Sequence, residues 1–158
     1  MSSAAAGAFE AEKRELVSFR VDGQDFCVDI MSVREIRGWT AATVLPHAPP
    51  YILGVINLRG AVVPIVDFAA RMGLKPTKPD ARHVIVICVI ENQTVGFLVD
   101  AVSDILGVDR SLIQPTPSVS SDLTCAFFEG VIAIDQRMLR LVEISAVLPR
   151  VGFREERA

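Results

Sequence analysis

The sequence predicts a mainly β protein built from two related halves. Three observations carry that prediction. Val and Ile together contribute 34 of the 158 residues, whereas Trp and Tyr occur once each, and β-branched side chains suit the pleated, half-buried surface of a sheet. Short alternating or fully apolar runs recur between turns rich in Gly and Pro, the spacing of small barrels or a sandwich. No 15-residue stretch places apolar residues at helical spacing, so only a few short helices are expected.

Taken in order, residues 1–14 are small and polar, ending in Glu10-Ala11-Glu12-Lys13-Arg14. They read as a flexible tail. From Leu16, the alternation of Val17, Phe19 and Val21 with Ser18, Arg20 and Asp22 is that of a half-buried strand. Asp22-Gly23 is a type I′ hairpin signal, and Phe26, Val28 and Ile30 mark the return strand. A turn or single helical turn at Met31–Arg34 leads into Glu35–Gly38, and a proline-rich connector spans Leu45–Pro50. Gly54–Leu58 and Ala61–Val66 read as two strands around Arg59-Gly60. Pro64 removes one ladder donor from the second, which predicts an edge strand or a bulge. Asp67–Met72 fits one helical turn stopped by Gly73, and Lys75–Asp80 an exposed loop. His83–Ile90 is a continuous apolar strand that turns at Glu91-Asn92-Gln93 into Val95–Val99. Gln114–Asp122 is a second Pro/Ser loop, Val131–Ile134 and Met138–Val142 form a last hairpin, and 149–158 is a polar tail.

A faint internal repeat supports two halves. A shift of 69 lays Gln24, Val33, Ile36, Gly38 and Pro46 on Gln93, Val102, Ile105, Gly107 and Pro115, and pairs Glu35 with Asp104. A shift of 76 lays Gly54-Val55-Ile56 on Gly130-Val131-Ile132 and Val66 on Val142. Composition alone would give about one or two identities in such windows. Repeat units of about 16–68 and 84–144 follow, with a groove between the halves.

Composition also excludes functions. The net charge is −3, only three of the sixteen basic residues are Lys, and no Lys/Arg run occurs, which argues against a nucleic-acid partner. The longest apolar run, Val84–Ile90, is seven residues, far from the ~20 that cross a bilayer. Cys27, Cys88 and Cys125 are widely spaced and form no CxxC or Cys/His cluster, so neither a disulfide framework nor a zinc site is expected. His47 and His83 belong to no nucleophile or metal motif, and no GxGxxG or P-loop occurs. No catalytic residue, metal or cofactor is assigned.

The informative segment is Gly54-Val55-Ile56-Asn57-Leu58-Arg59-Gly60-Ala61-Val62-Val63-Pro64-Ile65-Val66-Asp67. Gly60 allows a left-handed turn after Asn57-Leu58-Arg59, and Gly54 a close backbone approach. By spacing alone, this is an ordinary hairpin. The pattern Gly-x-x-Asn-Leu-Arg-Gly-x-x-x-Pro-x-x-Asp nevertheless resembles the signature of the CheW-like domain family of bacterial chemotaxis. Val33-Arg34-Glu35-Ile36-Arg37-Gly38, Gly96-Phe97-Leu98-Val99-Asp100-x-Val102 and the hairpin from Gly130 to Leu139 extend the resemblance over about 15–148.

The resemblance implies an all-β fold of two SH3-like five-stranded barrels sharing a hydrophobic core. It implies a non-enzymatic cytoplasmic adaptor, a monomer on its own, which couples transmembrane methyl-accepting chemoreceptors to the histidine kinase CheA in membrane-associated arrays. The kinase-binding patch carries over to Val17, Ile30 and Val33, with apolar side chains facing outward. The groove for the receptor's helical-hairpin tip carries over to Val33, Glu35, Gly54, Asn57, Arg59, Val84 and Val102. Arg59 offers a planar fork of donors for a carboxylate, and Glu35 is its expected partner, either to hold the turn or beside a receptor. Gly54 would let a helix approach the backbone. Trp39 stands where the family carries a smaller aromatic. Two other readings remain at this stage: the regulatory domain of a CheA- or CheV-type protein, and a small-molecule-binding or hydrolytic β protein using the groove. The short polar tail speaks against a CheV-type continuation, and the lack of a nucleophile, base or metal set against a hydrolase.

Overall fold

The computed structural model describes residues 13–116 and 126–149. The expected tail up to residue 12, residues 117–122 of the second Pro/Ser loop, Cys125 and the tail from residue 150 lie outside the described residues. Hairpin β1 (Lys13–Val21) and β2 (Gln24–Asp29) is followed by a 3-10 turn at Ile30–Ser32 and strand β3 (Val33–Gly38). Hairpin β4 (Ile52–Leu58) and β5 (Ala61–Asp67) runs into the single helical turn α1 (Phe68–Arg71). The order then recurs as β6 (Val84–Ile90), β7 (Gln93–Val99), β8 (Ala101–Asp109), a 3-10 turn at Arg110–Leu112, β9 (Phe128–Ile134), β10 (Arg137–Val142) and α2 (Ile144–Val147). All four hairpins turn through two residues with positive φ: Asp22 and Gly23 (50° and 74°), Arg59 and Gly60 (52° and 89°), Glu91 and Asn92 (54° and 65°), and Asp135 and Gln136 (49° and 67°). These are the left-handed pairs whose twist matches a hairpin.

The strands form two five-stranded sheets, ordered β8-β1-β2-β10-β9 (sheet one) and β3-β6-β7-β5-β4 (sheet two). Each sheet mixes strands from both sequence halves. After β2 the chain does not fold back; β3 crosses to pair with β6, and β8 crosses the other way to pair with β1. The halves are joined along parallel seams, β10 on β2 and β5 on β7. Beyond each edge strand the chain returns to the opposite edge. The Thr43 N–H donates to the Val55 carbonyl at 2.8 Å and receives the reverse bond at 2.9 Å, and Gln114 exchanges the same pair of bonds with Val131. Both sheets therefore curl toward closure, which limits the exposed edges that invite unwanted pairing.

The structure departs from the sequence reading at several points. β1 starts at Lys13, not Leu16: Lys13 and Arg14 pair with Asp109 and Val108, and the Arg14 guanidinium bridges Asp29 and Glu129, each at 2.8 Å. β3 and the whole of β8 carry no strand signal in the sequence, because as edge strands they expose polar residues such as Arg34, Ser103 and Asp104. Pro64 lies on an interior strand rather than an edge. Pairing of β5 with β7 begins only at Ile65, so the missing N–H falls just before that ladder starts.

Three apolar clusters explain the alternation. The largest lies between the sheets and joins Val17, Phe19, Phe26 and Val28 to Val66, Phe68, Val86, Phe97 and Val142. A second fills the concave face of sheet two with Ile56, Leu58, Val63, Ile65, Ile85, Ile87 and Leu98. A third fills sheet one with Leu16, Cys27, Val108, Ile132, Leu139 and Leu141. β6 is continuously apolar because Ile85 and Ile87 enter the sheet's own cluster while Val86 and Cys88 enter the shared one. Phe68 sits at the centre of the shared cluster, edge-on to Phe19, Phe26 and Phe97 with ring centroids 5.1, 5.0 and 6.2 Å away. Such pairs add to the burial of their area.

Candidate interaction face

The β4–β5 turn fixes the position of Arg59. The Asn57 side-chain oxygen accepts the Gly60 N–H at 2.8 Å, an Asx-type bond that stabilises the turn. Arg59 takes the first left-handed position, and its side chain, 63% exposed, projects from the hairpin tip. There it donates to the Glu35 carboxylate on β3. Glu35 belongs to the opposite edge of the same sheet, so the pair spans the line along which sheet two closes. The hydrogen bond from Arg59, foremost, and then the charges of Arg59, Arg37 and Arg34 hold the Glu35 carboxyl below the usual carboxylate range, against a smaller opposing effect of desolvation. Glu35, Asn57 and Arg59 are thus brought together where the two edges of the sheet meet.

Gly54 has a role other than the expected one. Its φ of +146° already disfavours any side chain, and a Cβ there would lie 2.3 Å from the carbonyl oxygen of Thr43. The close approach it permits is by the chain's own connector, not by a partner helix. Gly130 does the same for Gln114 in the other sheet, also at 2.3 Å. This shared constraint accounts for the Gly54/Gly130 identity in the repeat.

The apolar candidates divide differently. Val17 is 2% exposed and lies in the shared cluster. It cannot supply an outward apolar side chain, because the face of β1 turned away from its own sheet's interior is covered by the second sheet. Ile30, Val33, Val84 and Val102 are half-buried and pack against that same cluster. Val33 opens β3 and Val102 is the second residue of β8, related positions in the repeat. The exposed apolar side chain next to Ile30 is Met31, 87% exposed, in a 3-10 turn capped by the Asp29 carboxylate at 2.8 Å. A methionine between Ile30 and Ser32 in a short turn gives no periodic signal. Trp39 is half-buried and packs on the cluster within sheet two. Arg71, not singled out by any motif, stacks on Tyr51 and Phe127 at 4.4 and 4.8 Å and ties α1 to the Val147 carbonyl.

Among the described residues, no three His, Cys, Asp or Glu side chains converge as metal ligands, and no helix is long and apolar enough to cross a membrane. The CheW-like domain family model matches residues 15–152. The chain belongs to the CheW-like domain family. It is 61% identical over 134 residues to the probable chemotaxis protein CheW of Rhizobium etli, covering 85% of this chain and 86% of that one. It is 60% identical over 136 residues to the chemotaxis protein CheW of Rhizobium meliloti, covering 86% and 88%. In three dimensions it resembles the scaffolding protein TtCheW of Thermoanaerobacter tengcongensis, with TM-score 0.79, 29% identity and coverage of 88% and 89%. This CheW-like chain is accordingly a non-enzymatic chemotaxis adaptor, and its surfaces rather than a reaction centre carry its function.

Proposed function

We propose that this CheW-like chain couples the cytoplasmic helical-hairpin tip of methyl-accepting chemoreceptors to the regulatory domain of the kinase CheA, within cytoplasmic arrays at the membrane. A CheW-like unit of about 15–148 carries both contacts and is a monomer on its own. The receptor contact centres on Arg59 and Glu35, with Asn57 holding the turn and Val33, Val84 and Val102 packing behind. The kinase contact uses Ile30 and Val33, with Met31 as the outward apolar group in place of Val17. The observation that carries this reading is an exposed guanidinium held by a rigid turn against a carboxylate on the opposite edge. A charged pair that already spans two edges can exchange partners with a docking helix without unfolding its support. In an array, many weak contacts of this kind add through effective concentration.

The test is reconstitution of receptor-controlled kinase activity from receptor signalling fragments, CheA and this chain. Arg59→Ala is expected to remain folded and to lose receptor control, and Met31→Ser to weaken kinase binding while sparing receptor binding. Normal coupling by Arg59→Ala would reject the receptor assignment.

A further inference from the structure

Beside the Arg59–Glu35 pair, β3 carries a second guanidinium whose environment is unexplained. Arg37 lies two residues beyond Glu35, on the same face of the strand. It lines a groove of about 390 Å³ with Thr40, Thr43, Asn57, Gly60 and Val62. Its Nε is buried and finds no partner among the described residues, a condition that native interiors rarely leave unrelieved. The repeat deepens the anomaly. At the related position of β8 stands Leu106, which packs on the cluster inside its own sheet. Sheet two thus spends a guanidinium where its counterpart uses an apolar side chain.

The surrounding charge points to a ligand chemistry. Arg34, Arg37 and Arg59 surround a single carboxylate, Glu35, and all three lower its pKa. Glu35 is taken by Arg59, so positive charge is left over on this edge of a chain whose net charge is −3. The groove rim is apolar on one side, where Val62 is 70% exposed. Strand addition is closed off here, because Thr43 already occupies the edge of β4 at Val55. An occupant must enter by its side chains.

We propose that this groove is an acidic-side-chain subsite: Arg37, backed by the Thr40 and Thr43 hydroxyls, receives a carboxylate of the docking helix while Val62 packs on the apolar flank of that helix. The proposal rests on the receptor-docking reading above and extends its footprint from the hairpin tip to the connector. Arg37 is suited to the task because its fork binds a carboxylate through two parallel hydrogen bonds.

The experiment is calorimetric titration of the full chain with a soluble helical-hairpin fragment of a chemoreceptor tip, at 50 and 200 mM NaCl. Arg37→Gln is expected to weaken binding about tenfold and to flatten its salt dependence, and Arg37→Lys to recover part of both. Acid-to-amide substitution along the fragment should reveal one carboxylate whose loss costs the wild type about tenfold and the Arg37→Gln variant nothing. Should Arg37→Gln fail to fold, Arg37→Lys and the amide series on the wild type give the same reading. If Arg37→Gln binds with unchanged affinity and salt dependence while Arg59→Ala still weakens binding, this subsite is rejected and the docking reading stands. If the wild type does not bind the fragment at all, both are rejected.

Discussion

Arg59 and Glu35 join the two outermost strands of one sheet, β4–β5 to β3, rather than neighbours in a ladder. The other sheet has a looser counterpart: Arg137 Nη1, at the start of β10, lies 4.0 Å from Asp104 on edge strand β8, while its Nε is 3.6 Å from Asp25. Asp104 is the residue that the repeat matches to Glu35. Both sheets thus place an acid on the strand that crosses to pair with the other half and an arginine on the distal hairpin. The tighter pair coincides with the candidate docking edge.

The Glu35–Arg59 pair makes a signed prediction in pH. The folded-state pKa of Glu35 is depressed, so its contribution to stability is present above the unfolded carboxylate pKa and lost as pH falls through the folded value. Thermal melts from pH 7 to pH 3 are expected to show wild type above Glu35→Gln at neutral pH, the gap closing only on the acid side. Because the pair is exposed, the gap is small and shrinks with added salt. A gap that does not narrow at all as pH falls would mean that Glu35 acts through packing.

Gly54→Ala separates structural from docking roles. The added methyl meets the Thr43 backbone at 2.3 Å, in a region of φ that L residues avoid, so a loss on the order of 1–3 kcal/mol is expected. Urea titration measures it, and amide exchange should show lost protection at Thr43 and Val55, which exchange hydrogen bonds across that contact. Receptor binding by the folded fraction should fall less than stability does. Unchanged stability with abolished binding would return Gly54 to the docking surface.

Phe68→Ala tests whether the two sheets form one cooperative unit. Phe68 is fully buried and touches rings from both sheets. Its truncation should cost about 3–5 kcal/mol, with a single transition. Trp39 fluorescence reports sheet two and exchange at β9 amides reports sheet one; coincident midpoints are expected. Separate midpoints would show that the shared cluster does not couple them.

What was legible in the sequence follows from where each strand lies. β6, with both faces buried, and β1 from Leu16 onward advertise themselves by apolar content, and Asp22-Gly23 names its turn. β3 and β8 did not, because half-exposed edge strands carry residues that equally suit loops. The mixing of halves between sheets was illegible for a related reason: period and repeat identify hairpins but not which hairpin a crossing strand joins. Among the site residues, Arg59 and Glu35 enter through the family resemblance, because by spacing alone Asn57–Gly60 is an ordinary hairpin turn; the structure adds that the two side chains pair. For Val17, alternation tells which residues share its face, not that a second sheet covers that face. Arg37 went unassigned because its distinguishing feature, a buried and unpartnered Nε, exists only in three dimensions.

The two described thiols give a final prediction. Cys27 and Cys88 are buried, and burial pushes each pKa up to about 12, with the Arg14 charge working against it at Cys27. At pH 8 almost no thiolate forms, and thiolate is the reactive species. In a Cys125→Ser variant, Ellman's reagent should find no reactive thiol in buffer and two in 8 M urea. The linkage has the opposite sign to that of Glu35. A thiol pKa raised by folding stabilises the fold below the ordinary thiol range, near 8.5, and this is lost as pH rises from there toward about 12. Urea midpoints should therefore fall above about pH 9, and less so in Cys88→Ala corrected for its own packing loss. A folded chain that reacts at pH 8 on the timescale of the unfolded one would show that the shared cluster opens far more readily than its packing implies.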